Sequence, residues 1–465
     1  MRKLRLSAVA LCILLAGCTV GPNYQRPKVN LPPSYRGQPA SASLNRQAAS
    51  LGNERWWQVF DDPVLDQLIR VALKQNYDVR IAATRVLQAQ AQLGITRSNQ
   101  FPVVTAGANL FAEQNPKSSH VFPAFRENDA ELSASVIWNL DFWGKFRRET
   151  EAARDNLLAT VWGRRAVITS VVSGVATAYF ELRELDLALR ISQQTLASRN
   201  TSLHLIQVLY HYGSNSLLDL RQAQELVDTA AETIPDLERQ IQQQENLISE
   251  LLGENPEPVA RGLKLTQQPL PSSIPAGLPS ELLDRRPDIR EAEASLMAAN
   301  ADIGIAKADF FPNIALTSGG GLESYALNRF FTLPSTLWNV TGSAAQTVFQ
   351  AGALHAGLRL TRAQEEEMLL AYQEAIKNAL QQVSDALVAY QKDREFTRQQ
   401  ALLTAAAKDA DNLSEILFKH GGASFLQVLT SETNYFAAEL ELAQAQLNER
   451  LALVQLYNAL GGGWQ

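Results

Sequence analysis

Sulfur and imidazole side chains are scarce in this 465-residue chain, which has two cysteines, three methionines and five histidines. The histidines are scattered without ligand-like spacing, so the sequence does not predict a metal enzyme. At 42 Lys+Arg against 48 Asp+Glu the formal net charge is −6, and we expect no nucleic-acid partner. No phosphate loop, nucleophile elbow or catalytic carboxylate pair is recognisable, so we predict neither an enzyme nor a cofactor.

The chain also lacks an apolar run long enough for a transmembrane helix. The best candidate, residues 166–180, is too short to span a bilayer and is interrupted by Thr169, Ser170, Ser173 and Thr177. Any membrane contact must therefore come from strands or from a lipid.

The N-terminus has the parts of a secretory signal. Arg2, Lys3 and Arg5 precede an apolar run at 6–15, and the letters Leu-Ala-Gly then lead directly to Cys18. This arrangement matches the bacterial lipobox, in which the cysteine is lipid-modified and becomes the first residue. We predict a signal peptide at 1–17, a lipid on Cys18 and a lipidated segment at 18–62. Thr19, which follows the cysteine, favours the outer membrane.

Two halves of the chain repeat the same features in the same order. A Pro-rich stretch at 256–280 separates the two predicted repeats, 63–255 and 281–465. The matching positions are Asp78/Arg80 with Asp288/Arg290, Gly94 with Gly304, Phe101-Pro102 with Phe311-Pro312, and Gly213, Ser216 and Leu218 with Gly421, Ser424 and Leu426.

Period-two alternation predicts strands at about 101–142 and 311–349. Between 131 and 142, Leu132, Val136 and Trp138 occupy one face, and Ser133 and Asn139 the other. Segments of about ten residues suit a tilted transmembrane β-barrel, although a surface sheet of a soluble domain would show the same pattern. Four strands cannot close a barrel, because small barrels need about eight. If these strands lie in a membrane, several chains must share one barrel, and three copies would supply about twelve strands.

Long helices account for most of the remainder, at about 145–252 and 351–458. Proline is absent from 124–234, and the residues from Gly144 to about Tyr212 would form a helix of about 100 Å. A seven-residue apolar spacing indicates lateral packing against other helices. Its members are Val161, Ile168, Val175, Leu182, Leu189, Leu196 and Leu203.

Taken together, these features resemble the TolC-like outer-membrane factors of tripartite efflux systems, in particular their OprM-like lipoprotein branch. The resemblance covers the whole mature chain. Its motifs are Trp56-Trp57 with Phe60 and Asp62, the run Asp284-Arg285-Arg286-Pro287-Asp288-Ile289-Arg290, the run Phe310-Phe311-Pro312, and the ending Leu460-Gly461-Gly462-Gly463-Trp464.

The resemblance implies an α+β membrane protein and a homotrimer. Its parts would be an outer-membrane β-barrel with four strands per chain, a continuous periplasmic α-helical barrel, and an equatorial belt. Such a conduit would pass small molecules outward, with energy from an inner-membrane pump of the resistance-nodulation-division type linked through a periplasmic adaptor. The sequence predicts no particular cargo.

Two Gly-containing turns between long helices are the candidate functional sites. Gly213 and Gly421 permit the chain reversals, and Ser216 and Ser424 are candidate N-caps. By resemblance, we expect adaptor docking at Gly213 and Gly421 and a periplasmic gate beside them. The gate hypothesis makes Leu426 an apolar constriction and joins Asp219 to Tyr210 or Tyr212 in a polar latch. Gln427 and Thr430 stand where some family members carry Asp, which argues against a strong acid ring.

Two other functions are open from the residues alone. The first is a lipid-anchored periplasmic coiled-coil adaptor whose alternating segments form a soluble sheet without a pore. The second is a membrane-held enzyme, which would need a convergent polar cluster that the sequence does not present.

Overall fold

The computed structural model describes residues 19–37, 50–114, 126–271 and 277–464. The predicted signal peptide and Cys18 lie outside these residues. The chain divides into two compact units, each made of three segments. The first holds the described parts of Met1–Lys28, Arg85–Thr160 and Glu291–Tyr372, and the second those of Val29–Thr84, Val161–Arg290 and Gln373–Gln465.

A four-stranded antiparallel sheet lies in the first unit, with its strands in chain order. The strands are β1 (Val103–Gln114), β2 (Arg126–Leu140), β3 (Asn313–Ser324) and β4 (Thr336–Ala345). Each half of the chain supplies one hairpin, and the pairing of Leu132 with Leu322 on β2 and β3 joins the two halves. Within the described residues, β1 and β4 each pair on one side only. The predicted strands are confirmed, although β4 ends at Ala345, short of the predicted limit at 349.

The apolar face of this sheet is exposed within the chain. Trp338 is 81% exposed, Val340 62% and Leu132 43%. A soluble sheet would bury such a face against its own core. Apolar side chains that alternate with polar ones and face outward fit a sheet that contacts lipid.

Helices form the rest of the described chain, and none of them is both long and apolar enough to cross a membrane. The helices are α1 (Trp56–Val59), α2 (Pro63–Gln75), α3 (Tyr77–Ser98), α4 (Lys145–His211), α5 (Leu217–Leu252), α6 (Leu282–Arg285), α7 (Pro287–Ala308), α8 (Ala353–Lys419) and α9 (Phe425–Ala459). Short 3₁₀ turns occur at Leu51–Asn53, Leu265–Gln267, Pro279–Glu281, Leu327–Arg329 and Leu333–Ser335. Helix α7 begins at Pro287 with Asp288 in its first turn, where an acid favours the helix dipole.

The heptad line of α4 is buried in part. Val175 and Leu182 are fully buried and Leu203 nearly so. Two polar residues, each three positions after a member of this line, are buried as well. Ser192 is 0% exposed and Arg199 is 2% exposed. The seam of α4 is therefore not purely apolar.

A buried carboxylate, Asp62, organises the core of the second unit. It caps the N-terminus of α2 and is only 3% exposed. Its oxygens accept hydrogen bonds from the backbone N–H groups of Val64, Leu65 and Leu263, the Tyr179 hydroxyl and the Gln268 side-chain amide. The 256–280 linker is thus bound to both α2 and α4 through one side chain. A buried charge is tolerated there because several donors satisfy it.

We predict that Asp62→Ala lowers the free energy of unfolding by about 3 kcal/mol, because it removes a helix cap and leaves buried donors without an acceptor. Thermal unfolding followed by circular dichroism would measure the change. Asp66→Ala is the matched control on the same helix. Asp66 pairs with the exposed Arg70, so its loss should cost less than about 1 kcal/mol. Equal effects of the two substitutions would contradict the central role of Asp62.

Candidate functional site at the helix-hairpin turns

The first helix-hairpin turn, between α4 and α5, is closed by a glycine in the left-handed conformation. Gly213 has φ +76°. Its N–H donates to the carbonyl of Tyr210 at 3.0 Å, and the Ser214 N–H donates to the carbonyl of Leu209 at 2.8 Å. This is the Schellman pattern, which satisfies the last carbonyls of a helix and favours glycine because other residues are strained at positive φ.

The second turn, between α8 and α9, has the same glycine conformation and the same two hydrogen bonds. Gly421 has φ +74°, its N–H donates to the Phe418 carbonyl at 3.0 Å, and the Gly422 N–H donates to the Leu417 carbonyl at 2.8 Å. A Cβ on either Gly213 or Gly421 would meet nothing within 4 Å. Backbone conformation, not crowding, therefore requires both glycines.

Capping boxes begin the two helices that follow the turns, α5 and α9, and the predicted N-caps are confirmed. Ser216 caps α5, and the Oδ2 atom of Asp219 accepts from the Ser216 N–H and from the Ser216 hydroxyl, each at 2.9 Å. Ser424 caps α9, and the Gln427 side chain accepts from the Ser424 N–H at 3.1 Å. Asp219 and Gln427 thus occupy equivalent positions with equivalent local roles, since Asp and Gln can both accept from the cap N–H.

An apolar core joins the two hairpins just behind the turns. Phe425 and Val428 of α9 lie with Ile206 of α4 and with Ala223 and Val227 of α5. The Phe418 ring lies 5.5 Å from the Phe425 ring. The hairpins therefore pack as one body near their turns.

The predicted gate residues surround this core on the outside. Tyr210 is 41%, Tyr212 79% and Leu426 61% exposed. Gln427 and Thr430 are also exposed, and the Thr430 hydroxyl donates to the Leu426 carbonyl at 2.8 Å. Asp219 is half-buried, and its hydrogen bonds go to Ser216 and Asn215. The structure places all six side chains at the two turns, and the latch and the constriction stay predictions.

Further along the hairpins lies a buried cluster that sequence reasoning missed. Arg199 of α4 donates to the Leu226 carbonyl of α5 at 2.8 Å and lies over the Phe436 ring of α9 at 5.0 Å. Three carboxylates gather nearby, those of Asp411, Glu415 and Glu432, with one oxygen of each within 4.8 Å of the others. The sequence did contain one signal of this cluster. Arg199 lies at the same seven-residue spacing as Val171 and Ala178, a spacing at which an apolar residue is expected.

Burial raises the pKa of two carboxyl groups in this cluster. Burial, helped by the neighbouring Glu415, raises the pKa of Asp411 to about 6 against the opposing effect of Arg199. Burial also raises the pKa of Glu432, although the Ser202 hydroxyl donates to its Oε1 at 3.0 Å. Oxygens so arranged could hold a divalent cation. Arg199 already supplies positive charge to them, so we interpret the cluster as an acid–arginine network.

The same architecture occurs in known proteins. The family model described as outer membrane efflux protein matches residues 68–254 and 278–462. The Escherichia coli protein named cation efflux system protein CusC is 33% identical over 466 residues, covering 100% of both chains. The Salmonella typhimurium protein named probable outer membrane lipoprotein SilC is 32% identical over 466 residues, again covering 100% of both. The solved open-state MtrE outer membrane channel of Neisseria gonorrhoeae matches with a TM-score of 0.89 and 29% identity, covering 96% of this chain and 99% of MtrE.

An outward-facing apolar sheet and paired long helical hairpins define a channel-forming outer-membrane protein. Because the family model matches most of the chain in two successive blocks, the chain belongs to the outer membrane efflux protein family. It is the outer-membrane channel component of a tripartite efflux system, and the predicted outer-membrane location is confirmed. The predicted fold class is confirmed too, since the matching channels are trimers with a β-barrel and a helical periplasmic part. Its relatives are channels and not enzymes.

The acid–arginine network predicts a pH-dependent stability. The folded pKa of Asp411, about 6, lies above the value of about 3.9 for an unfolded aspartate, so the folded protein binds more protons between these values. Stability should therefore fall as pH rises from about 4 to about 6. Asp411→Asn should flatten this slope and stabilise the protein at pH 7 by about 1 kcal/mol, after allowance for partial exposure. Thermal midpoints across the pH range measure the effect.

Asp409→Asn provides the matched control, because Asp409 is exposed on the same helix. It should leave the slope unchanged. A slope that persists in Asp411→Asn would place the titrating group elsewhere, with Glu432, whose pKa is also raised by burial, as the first candidate.

Proposed function

We propose that three copies of this chain form a passive conduit that is closed at the two hairpin turns and opened when a periplasmic adaptor docks there. The supporting observation is the pair of nearly identical turns, each with a left-handed glycine and a capping box. Relatives of the chain form trimers and work in efflux systems with adaptors and inner-membrane pumps. The cognate pump, on this proposal, is of the resistance-nodulation-division type. A coiled-coil adaptor without a pore is not favoured, because the relatives are channels.

The chain is anchored, in this proposal, by a lipid on Cys18 after removal of residues 1–17. The two repeats at 63–255 and 281–465 each supply one strand hairpin and one helical hairpin. Residues 18–62, the 256–280 linker and the C-terminus form the equatorial segments. The hydrogen bonds that tie Leu263 and Gln268 to Asp62 support this grouping of the linker with the N-terminal segment.

At the gate, Leu426 narrows the conduit as an apolar side chain that is exposed in the single chain. Asp219 contributes a second closure, a polar contact with Tyr210 or Tyr212 of a neighbouring helix. Its Oδ2 atom serves the capping box, and a tyrosine hydroxyl that donates to the carboxylate would add to that arrangement without breaking it. Gln427 and Thr430 make the closure uncharged on the second hairpin, so we expect weaker cation binding than an acid ring would give.

Single-channel conductance in planar bilayers tests the gate. Leu426→Ser and Asp219→Ala should each raise the conductance of the closed channel severalfold, because each removes one closing contact. Leu218→Ser is the control, since Leu218 is the repeat equivalent of Leu426 and is similarly exposed, at 65%. Unchanged conductance in both gate variants, or an equal rise in the control, would contradict this gate.

Site-specific photo-cross-linking tests adaptor docking. A photoreactive residue at Tyr212, next to Gly213, should cross-link the co-expressed periplasmic adaptor. The same residue at Leu247, which is 42% exposed on α5, should not. Equal yields at both positions would argue against docking at the turns.

A further inference from the structure

The segment that directly follows residue 18 is bound along the helical part of its own unit. The Val20 N–H donates to the Trp143 carbonyl at 3.0 Å. Arg148 donates through Nε to the Val20 carbonyl at 3.4 Å and through Nη2 to Asn23 Oδ1 at 2.8 Å. These bonds fix the start of residues 19–26, which we call the strap, against the first turn of α4.

The other end of the strap is held by a buried carboxylate on α7. The Tyr24 hydroxyl donates to Glu293 Oε1 at 3.3 Å, and Arg26 Nη2 donates to Glu293 Oε2 at 2.9 Å. The Glu293 side chain is only 6% exposed, while that of Arg26 is 37% exposed. An ion pair in which one partner is this well buried is screened less than a surface pair.

Two glycines allow the strap to pack closely on the rest of its unit. A Cβ on Gly21 would lie 2.5 Å from the Cα atom of Gly304 on α7, and Gly21 has φ +110°. A Cβ on Gly144 would lie 2.6 Å from Thr19 Cγ2 and 2.9 Å from Thr19 Cα, and Gly144 has φ +79°. Only glycine fits these positions, because both space and backbone conformation exclude a side chain. The path of the strap is therefore set closely.

This path leads to an aromatic pair beside the sheet. Trp143 lies just after β2 and stacks on Phe311, just before β3, with ring centroids 4.7 Å apart. The indole N–H of Trp143 donates to the Pro312 carbonyl at 2.9 Å, which fixes the ring. Phe311 is 39% exposed. Trp143 and Phe311 form what we call the aromatic platform, and residues of this kind favour the boundary between membrane and water.

Thr19, where the described residues begin, lies close to the backbone of this platform. Thr19 contacts Gly144, the neighbour of Trp143, and adjacent Cα atoms in a chain lie about 3.8 Å apart. An acyl chain on residue 18 would therefore start close to the backbone of Trp143 and Gly144. Each buried CH₂ group of such a chain contributes about 0.8 kcal/mol, so an apolar wall at the attachment point is a favourable place for it.

We propose that the strap, which is held in place where Gly21 packs on Gly304, positions the acyl chains of Cys18 against the Trp143–Phe311 platform of the same chain. The lipid then packs against the junction of sheet and helices and holds that junction at the membrane boundary. This inference rests on the proposed lipidation of Cys18 and adds the place where the lipid binds.

A photoactivatable fatty acid, fed to cells that make the full-length protein, tests the proposal. In the natural protein, mass spectrometry should find cross-links that join the residue-18 peptide to peptides containing Trp143 or Phe311. Gly21→Ala should lower the yield of these links about tenfold, because the added Cβ meets backbone and the residue is strained at positive φ. Gly37→Ala is the matched control. Gly37 also has positive φ, +86°, but lies outside the strap, and its Cβ would meet the movable Val388 side chain.

Asn23→Ala gives a second test that leaves the backbone intact. It removes the 2.8 Å bond to Arg148 and should also lower the cross-link yield, by a smaller factor. Hydrogen exchange at the Val20 amide should rise in both strap variants and stay slow in Gly37→Ala.

The outcomes separate the two proposals. Cys18 could carry the label while its cross-links reach many unrelated peptides, only free phospholipid, or only a neighbouring copy. Each of these results would overturn the strap inference and leave the lipidation intact. Absence of any label on Cys18 would overturn both. Unchanged platform links in Gly21→Ala would show that the strap does not direct the lipid.

Discussion

The decisive constraint on this protein is that its sheet is incomplete. Each chain supplies four antiparallel strands with an exposed apolar face, and β1 and β4 pair on one side only within the described residues. Unpaired backbone groups in hydrocarbon cost several kcal/mol each, so such a sheet can enter a membrane only when other strands close it. The trimeric assembly of this fold depends on that requirement.

Internal duplication explains why the two candidate turns look alike and yet differ in chemistry. Gly213 and Gly421 adopt the same left-handed conformation, and Ser216 and Ser424 cap the same position of the next helix. Asp219 and Gln427 then perform one structural task with different charges. The backbone requirement is strict at the glycines and loose at the third helical residue, because several side chains can accept from the cap N–H. Charge at the turn can therefore change between the repeats without loss of the hairpin.

Buried polar groups determine how the long helices fit together. Asp62 gathers donors from a helix cap, a neighbouring helix and the linker, and Arg199 links α4 to α5 and lies over a ring of α9. Apolar heptad contacts alone would allow such helices to slide in register, whereas a buried hydrogen-bonded group fits in one place only. The strap uses the same principle at the N-terminus, where Glu293 and three close-packed glycines fix one path.

Local sequence was enough to predict the strand hairpins, the two long helical hairpins and the capped turns, because each of these depends on local periodicity or on residues within a few positions. It also indicated that the strands have one apolar face, since the alternation can be seen along the chain, whereas the exposure of that face is known only from the structure. The roles of Arg199, Asp62 and Gly21 follow from tertiary contacts, because their long-range partners lie between 27 and 283 residues away. Single-sequence patterns contain no record of such distant pairs, and the energy of a buried charge or a glycine contact depends entirely on what the fold places beside it.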